Sequence, residues 1–206
     1  MKSSYSNEKK GNCMLSEKVR DWTQGFRSAI ARVLGSWGVS PNTLTLFGYV
    51  LHLPVMYMLA TGHLRLGGGL FALASAFDVL DGSVAREMGQ ATTFGAFLDS
   101  VIDRFSEGTV LFGLLLYYLN GGARLEPALI YVAVFGSLLV SYTRARAEGL
   151  GIQCKEGLFT RFERVILLAA GLISGLTRPV LWVLAILTVF TALQRVYHVW
   201  RKVNGK

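Results

Sequence analysis

Apolar residues are gathered into six long segments, and short polar or glycine-containing stretches separate them. The apolar segments cover residues 42–61, 66–86, 93–120, 126–146, 162–177 and 179–200. An α-helix needs about 20 apolar residues to cross the roughly 30 Å of hydrocarbon in a bilayer, and most of the segments are close to that length. The pattern predicts an all-α, polytopic membrane protein with six transmembrane helices.

The chain ahead of the first apolar segment has a different pattern. Residues 1–14 are polar and basic, which predicts a flexible tail. Apolar residues then recur at alternating steps of four and three, at Leu15, Val19, Trp22, Phe26, Ile30, Val33 and Trp37. We expect an N-terminal amphipathic helix over residues 15–38 that lies in the membrane interface, because its other faces are too charged to span. Ser40 and Pro41 then predict an N-cap and a first helical residue, which begin a six-helix bundle over residues 40–200.

Composition and charge agree with a membrane protein and suggest its orientation. The chain is 52% hydrophobic with a net charge of +8, and its mean hydropathy of +0.42 is high for a soluble domain. The basic residues flank the apolar segments, so we interpret the charge as membrane topology and expect no nucleic-acid partner. The predicted outer turns contain only Arg65, Arg124 and Arg178 of the 21 lysines and arginines. Both termini of this multi-pass cell-membrane protein are therefore expected on the cytosolic side.

Four aspartates interrupt the second and third apolar segments at their predicted cytosolic ends. Asp78 and Asp81 are three residues apart, and Asp99 and Asp103 are four apart, so each pair shares one face of its helix. Carboxylates inside a membrane are costly and persist when they face a cavity, pair with cations or bind metal. The sequence predicts that these four side chains form a common acidic site.

Three interpretations of the acidic site remain open at this point. The aspartates could be structural partners of Arg86 and Arg104, although four acids exceed two bases. A cation pathway would need acids spread through the membrane depth, whereas these are gathered on one side. A two-metal site suits carboxylate oxygens, which are hard ligands for Mg²⁺ or Mn²⁺ and can hold a diphosphate between two ions.

The spacing of this segment resembles a known family signature. The pattern reads Asp78-x2-Asp81-Gly82-x2-Ala85-Arg86-x8-Gly95-x3-Asp99-x3-Asp103. It is similar to the complete motif of the CDP-alcohol phosphotransferase family, with no departure at a defined position. The segment 41–45, PNTLT, also resembles the entry to the first helix of that family. The resemblance covers roughly residues 16–202, and we assign residues 15–206 to one membrane domain of this type.

The resemblance implies an activity and a set of site residues. Members transfer a substituted phosphate from a CDP-linked lipid to an alcohol and release CMP, by direct displacement with two divalent ions. It implies that the metal ligands are Asp78, Asp81, Asp99 and Asp103, and that Asp103 is also the general base. It implies that the nucleotide and CDP-lipid site includes Asn42, Thr45, Asp78, Gly82, Ala85 and Arg86. It also implies a homodimer and a cytosolic active site surrounded by membrane lipid.

Arginines further along the chain bear on the acceptor alcohol. They are Arg144, Arg146, Arg161, Arg164 and Arg195. Several arginines beside a metal site favour an acceptor that carries its own phosphate. The stretches SYTRARAEGLGI, LFTRFERV and LQRVYHVW are similar to prokaryotic phosphatidylinositol-phosphate synthases. That similarity implies CDP-diacylglycerol as donor, inositol phosphate as acceptor, and a phosphate grip by these arginines, with Arg146 the weakest candidate.

Alternatives within and outside the enzyme class remain. Glycerol phosphate as acceptor would make the chain a phosphatidylglycerol-phosphate synthase, and CDP-archaeol as donor would make it an archaetidylinositol-phosphate synthase. A cation transporter would move ions without nucleotide chemistry. Glu107, one turn beyond Asp103, is left open between a role beside the metal site and a pairing with a basic group. His52, His63 and His198 stand singly, so we predict packing or interface roles for them.

Overall fold

The computed structural model describes residues 40–87, 92–154 and 157–205. The described residues form six α-helices: α1 (Pro41–Ala60), α2 (Leu64–Glu87), α3 (Thr93–Asn120), α4 (Leu125–Gly149), α5 (Arg161–Ser174) and α6 (Thr177–Val203). Each apolar segment thus forms one helix, which confirms the all-α class. The predicted tail at 1–14 and interfacial helix at 15–38 lie outside the described residues.

Three of these helices are long and apolar enough to cross a membrane by length and composition. They are Asn42–Ala60 in α1, Leu125–Gly149 in α4 and Thr177–Val203 in α6. The other three helices do not meet these length and composition criteria. α2 and α3 carry the charged aspartates, and α5 has only 14 residues. Large apolar side chains also face outward from the bundle, among them Leu46, Phe47, Val50, Phe135, Trp182, Ile186 and Phe190. The chain is therefore an integral membrane protein.

Helix starts follow local sequence signals. Ser40 caps α1, where its side chain accepts a hydrogen bond from the Thr43 N–H at 3.2 Å, and Pro41 occupies the first turn, as predicted. Thr92 caps α3 in the same way, through the Gly95 N–H at 2.9 Å. Thr160 and Glu163 form a reciprocal capping box at the start of α5. These caps fix the helix ends that carry the polar residues.

Two close helix contacts hold the bundle together. α1 packs on α3 at Gly113, where an added Cβ would lie 2.6 Å from the Met56 carbonyl oxygen. α4 packs on α6 at Gly136, where a Cβ would lie 2.3 Å from the Thr188 hydroxyl oxygen. Small residues let helix backbones approach closely in a membrane bundle. α5 packs on α2 and α6, so its first turn lies beside the aspartate-bearing part of α2.

Candidate active site

Three helices bring two of the motif aspartates to one arginine. Asp78 lies on α2 and Asp103 on α3, and their side chains are 7% and 15% exposed. From the first turn of α5, Arg161 Nη2 donates to Asp78 Oδ2 at 3.0 Å, and Arg161 Nη1 lies 2.8 Å from Asp103 Oδ1. A single guanidinium therefore spans two carboxylates that are 25 residues apart in the chain.

The remaining motif residues surround this pair to different extents. Asp99 is partly buried one turn before Asp103 on α3. The side chains of Asp81, Gly82, Ala85 and Arg86 lie outside those that the structure describes. Among the described side chains, no three histidine, cysteine, aspartate or glutamate groups are gathered closely enough to hold a metal ion.

The electrostatics of the site favour a bound cation. Two largely buried carboxylates repel each other, and each needs a compensating positive charge. In the described structure Arg161 supplies that charge, and Arg104 Nη1 approaches Asp103 Oδ2 at 3.6 Å. Arg161 Nε is buried and has no hydrogen-bond partner among the described residues. The guanidinium thus supplies the positive charge that the two carboxylates need, at the place where the sequence predicts a cation site.

Glu107 has a basic partner on α5. Arg164 Nε donates to Glu107 Oε1 at 2.6 Å and Arg164 Nη2 donates to Oε2 at 2.8 Å, while Ser137 Oγ on α4 donates to Oε1 at 3.0 Å. This network is buried and joins α3, α4 and α5. Arg164 was predicted to bind the acceptor phosphate, and in the described structure its guanidinium pairs with Glu107. Of the two roles left open for Glu107, the structure places it in an ion pair with a basic group.

The other predicted acceptor arginines are distributed over α4 and α6. Arg195 is buried on α6, where its Nη1 donates to the Val140 carbonyl oxygen. A Cβ added at Gly157 would lie 2.9 Å from Arg195 Nε, so the loop before α5 covers this side chain. Arg144 pairs with Glu148 at 2.9 Å with half of its side chain exposed. Arg146 is also exposed at the end of α4.

Of the predicted nucleotide residues, Asn42 lies where the first turns of α1 and α3 meet. A Cβ added at Gly95 would be 3.1 Å from both Asn42 Oδ1 and Thr92 Oγ1. A larger residue at Gly95 would therefore press on Asn42. Thr45 is partly buried one turn further along α1.

His52 packs inside the bundle, as predicted, but its position beside Asp78 was not predicted. It is fully buried on α1, its Nδ1 lies 2.9 Å from the Gly48 carbonyl oxygen, and its Nε2 lies 3.9 Å from Asp78 Oδ2. The missed signal was helical spacing. Asn42, Thr45 and His52 fall on one face of α1, so His52 continues a polar stripe toward the aspartates.

Comparison with known proteins identifies the class to which this geometry belongs. The family model for CDP-alcohol phosphatidyltransferase matches residues 38–194. An archaetidylinositol phosphate synthase of Methanothermobacter thermautotrophicus is 40% identical over 167 residues, which cover 78% of this chain and 83% of that protein. A phosphatidylinositol phosphate synthase of Mycobacteroides abscessus is 36% identical over 186 residues, which cover 86% and 83%.

A solved enzyme has the same architecture. The crystal structure of Mycobacterium tuberculosis phosphatidylinositol phosphate synthase with CDP-DAG bound matches with a TM-score of 0.80 at 31% identity, covering 84% of this chain and 93% of that one. The same enzyme in complex with manganese and citrate matches with a TM-score of 0.78, covering 84% and 88%.

Proposed function

Since the chain belongs to the CDP-alcohol phosphatidyltransferase family and is an enzyme of that class, we propose that it is a phosphatidylinositol-phosphate synthase. The substrates are CDP-diacylglycerol, or CDP-archaeol in an organism with isoprenoid lipids, and inositol phosphate. The products are the lipid-linked inositol phosphate and CMP. Family membership excludes the cation transporter considered from the sequence.

The observation that supports a phosphorylated acceptor is the position of Arg161. An arginine fork in reach of both Asp78 and Asp103 is suited to hold an anionic acceptor beside the reacting centre. The relatives named as phosphatidylinositol or archaetidylinositol phosphate synthases support inositol phosphate as that acceptor. Arg195, Arg144 and Arg146 are proposed to complete the phosphate site.

Divalent metal is proposed as the cofactor. The carboxylates of Asp78, Asp81, Asp99 and Asp103 would hold two Mg²⁺ or Mn²⁺ ions, and the guanidinium between Asp78 and Asp103 supports a cation site at this place. When bound, such ions neutralise the diphosphate and stabilise the leaving CMP. The manganese complex of the M. tuberculosis enzyme supports this cofactor class.

The chain's own residues would bind the nucleotide and accept the proton. Asn42, Thr45 and Arg86, with the small residues Gly82 and Ala85, are proposed to bind the cytidine nucleotide. Asp103 accepts the proton of the acceptor hydroxyl while that oxygen forms a bond to the phosphorus next to the lipid. The bond from this phosphorus to the CMP oxygen breaks in the same step, and CMP leaves with the electron pair.

The topology of the proposed enzyme follows from the charge pattern. Six crossings preceded by an interfacial helix over 15–38 would put both termini and the aspartates on the cytosolic side of the cell membrane. There the soluble acceptor and the membrane-embedded donor can meet. A homodimer is also proposed, on the family resemblance.

An assay of CMP release tests the proposal. Purified protein with CDP-diacylglycerol and Mn²⁺ would receive inositol phosphate, free inositol or no acceptor. We expect CMP release with inositol phosphate only, and its loss when metal is chelated. Equal release with free inositol would contradict a phosphate-gripping site.

A further inference from the structure

The ring nitrogens of His52 are in two different environments. Nδ1 lies 2.9 Å from the Gly48 carbonyl oxygen. A carbonyl oxygen can only accept, so Nδ1 carries the proton and donates it. In the neutral ring the lone pair is therefore on Nε2.

The Nε2 atom lies beside the acidic site. It has no hydrogen-bond partner among the described residues, and the ring is 0% exposed. Asp78 Oδ2 lies 3.9 Å from it, while Phe71 packs against the ring at an edge-on angle. A buried acceptor that faces a carboxylate is unfavourable unless a positive group lies between them.

We propose that His52 Nε2 is a nitrogen ligand of the divalent ion that Asp78 holds, an inference that rests on the proposed metal-dependent function. Two bonds of about 2.1 Å to one octahedral ion put the ligand atoms about 3.0 Å apart when adjacent and about 4.2 Å apart when opposite. The observed separation of 3.9 Å lies between these values, so a small shift of either side chain would bring both atoms into the ion's coordination shell. Histidines that bind metal characteristically donate their other ring N–H to a carboxylate or a backbone carbonyl. The contact from His52 to Gly48 is of that kind.

A nitrogen ligand would distinguish this site from one made of carboxylates alone. Mg²⁺ is a hard ion that prefers oxygen, whereas a transition ion accepts imidazole more readily. The site in this chain should therefore prefer Mn²⁺ to Mg²⁺, and the preference should depend on His52.

Pulsed electron paramagnetic resonance of bound Mn²⁺ tests the ligand directly. The full chain would be purified through a tag without histidine, placed in lipid nanodiscs and loaded with Mn²⁺ without substrate. We expect a ¹⁴N coupling to Mn²⁺ that becomes a ¹⁵N coupling when histidine is isotopically labelled. The coupling should vanish in His52→Gln and persist in His63→Gln, which changes an exposed histidine at the opposite end of α1.

Metal affinity provides a second measurement on the same samples. Loss of the ligand should weaken Mn²⁺ binding in His52→Gln at least about tenfold, with a smaller effect on Mg²⁺. The isotope comparison uses the native chain, so it decides whether a histidine binds the ion even if a variant fails to fold.

The outcomes separate this inference from the function on which it rests. Bound Mn²⁺ without histidine coupling in the native chain would overturn the role of His52 and leave the aspartate site in place. Coupling that survives His52→Gln would overturn it as well. No Mn²⁺ binding at all would overturn both the ligand and the proposed metal site.

Discussion

At the scale of single residues, the central feature is the position of Arg161 between Asp78 and Asp103. Its guanidinium contacts the carboxylates that are proposed to bind metal. Arg161 and a metal ion therefore compete for the same oxygens. Metal binding would free the arginine fork for the acceptor phosphate, which couples the two sites.

Replacing Arg161 should move metal and acceptor affinity in opposite directions. In Arg161→Gln we expect Mn²⁺ to bind several-fold more tightly, because a competing cation is gone. The KM for inositol phosphate should rise about 10- to 100-fold, since a charged hydrogen bond contributes about 1.5–3 kcal/mol. Calorimetry and steady-state kinetics would measure the two effects.

The matched control for this variant is Arg178→Gln. Arg178 pairs with Glu126 at 2.7 Å at the other end of the bundle and is largely exposed. It should change neither quantity. Weaker Mn²⁺ binding in Arg161→Gln would mean that Arg161 organises the carboxylates and does not compete for them.

Replacing Asp103 tests the proposed base. Asp103→Asn keeps the size of the side chain but cannot take the hydroxyl proton, so turnover should fall by at least about 100-fold. Binding of CDP-diacylglycerol should remain measurable by calorimetry. Turnover close to that of the native chain would show that another group removes the proton.

Some contacts in the site could be predicted from the sequence, and others could not. The spacing of Asp78 and Asp103 indicated that both belong to one site. Arg161 could be named as a phosphate ligand, but its contact with both carboxylates depends on how α5 packs on α2. The position of His52 depends on the rotation of α1, which a polar stripe of three residues indicates only weakly.

At the scale of helices, the buried Glu107–Arg164 pair joins α3 to α5. Removing one partner leaves the other charge buried without compensation, which typically costs about 3–5 kcal/mol. Glu107→Ala should therefore lower the thermal midpoint strongly. In the double variant Glu107→Leu, Arg164→Met, no buried charge remains and most of that stability should return.

The same double variant separates the two roles considered for Arg164. If the arginine only joins helices, the refolded double variant should keep a near-native KM for inositol phosphate. A folded double variant with a greatly raised acceptor KM and an unchanged donor KM would assign Arg164 to the acceptor phosphate.

Close packing of α1 on α3 can be tested on one helix with two glycines. Gly113→Ala places a Cβ 2.6 Å from the Met56 carbonyl oxygen, which is backbone and cannot rotate away. We expect a loss of about 1–3 kcal/mol, with lower activity because both helices carry site residues. Gly108→Ala meets no atom within 4 Å and should be neutral or stabilising. Equal stability of the two variants in thermal unfolding would contradict this contact.

The apolar runs predicted that each of these helices exists, but they predicted the helix ends less accurately. The fourth helix was predicted over 126–146 but continues to Gly149. Charged residues can continue a helix beyond the apolar layer, so the end of the apolar run did not mark the end of the helix. The fifth was predicted to reach 177 but ends at Ser174, where Gly175 adopts a left-handed conformation with φ of 80°. Apolar composition continues through that turn, so hydropathy alone could not locate it.

At the scale of the whole molecule, the polar chemistry is gathered at one end of the bundle. Asn42 and Arg161 lie in the first turns of α1 and α5. Asp78 lies in the second half of α2, and Asp103 lies in the first half of α3. The contacts of Arg161 with Asp78 and Asp103 bring three of these helices together here, and the charge bias predicts that this end faces the cytosol. This arrangement suits a reaction between a membrane lipid and a soluble phosphate.

The central claim is that this end of the bundle joins a phosphatidyl group to inositol phosphate. The most direct measurement is the mass of the lipid formed from CDP-diacylglycerol when inositol phosphate and glycerol 3-phosphate compete at equal concentration with Mn²⁺. We predict phosphatidylinositol phosphate as the dominant product. Phosphatidylglycerol phosphate as the dominant product would contradict the acceptor assignment, and absence of any lipid product would contradict the proposed reaction.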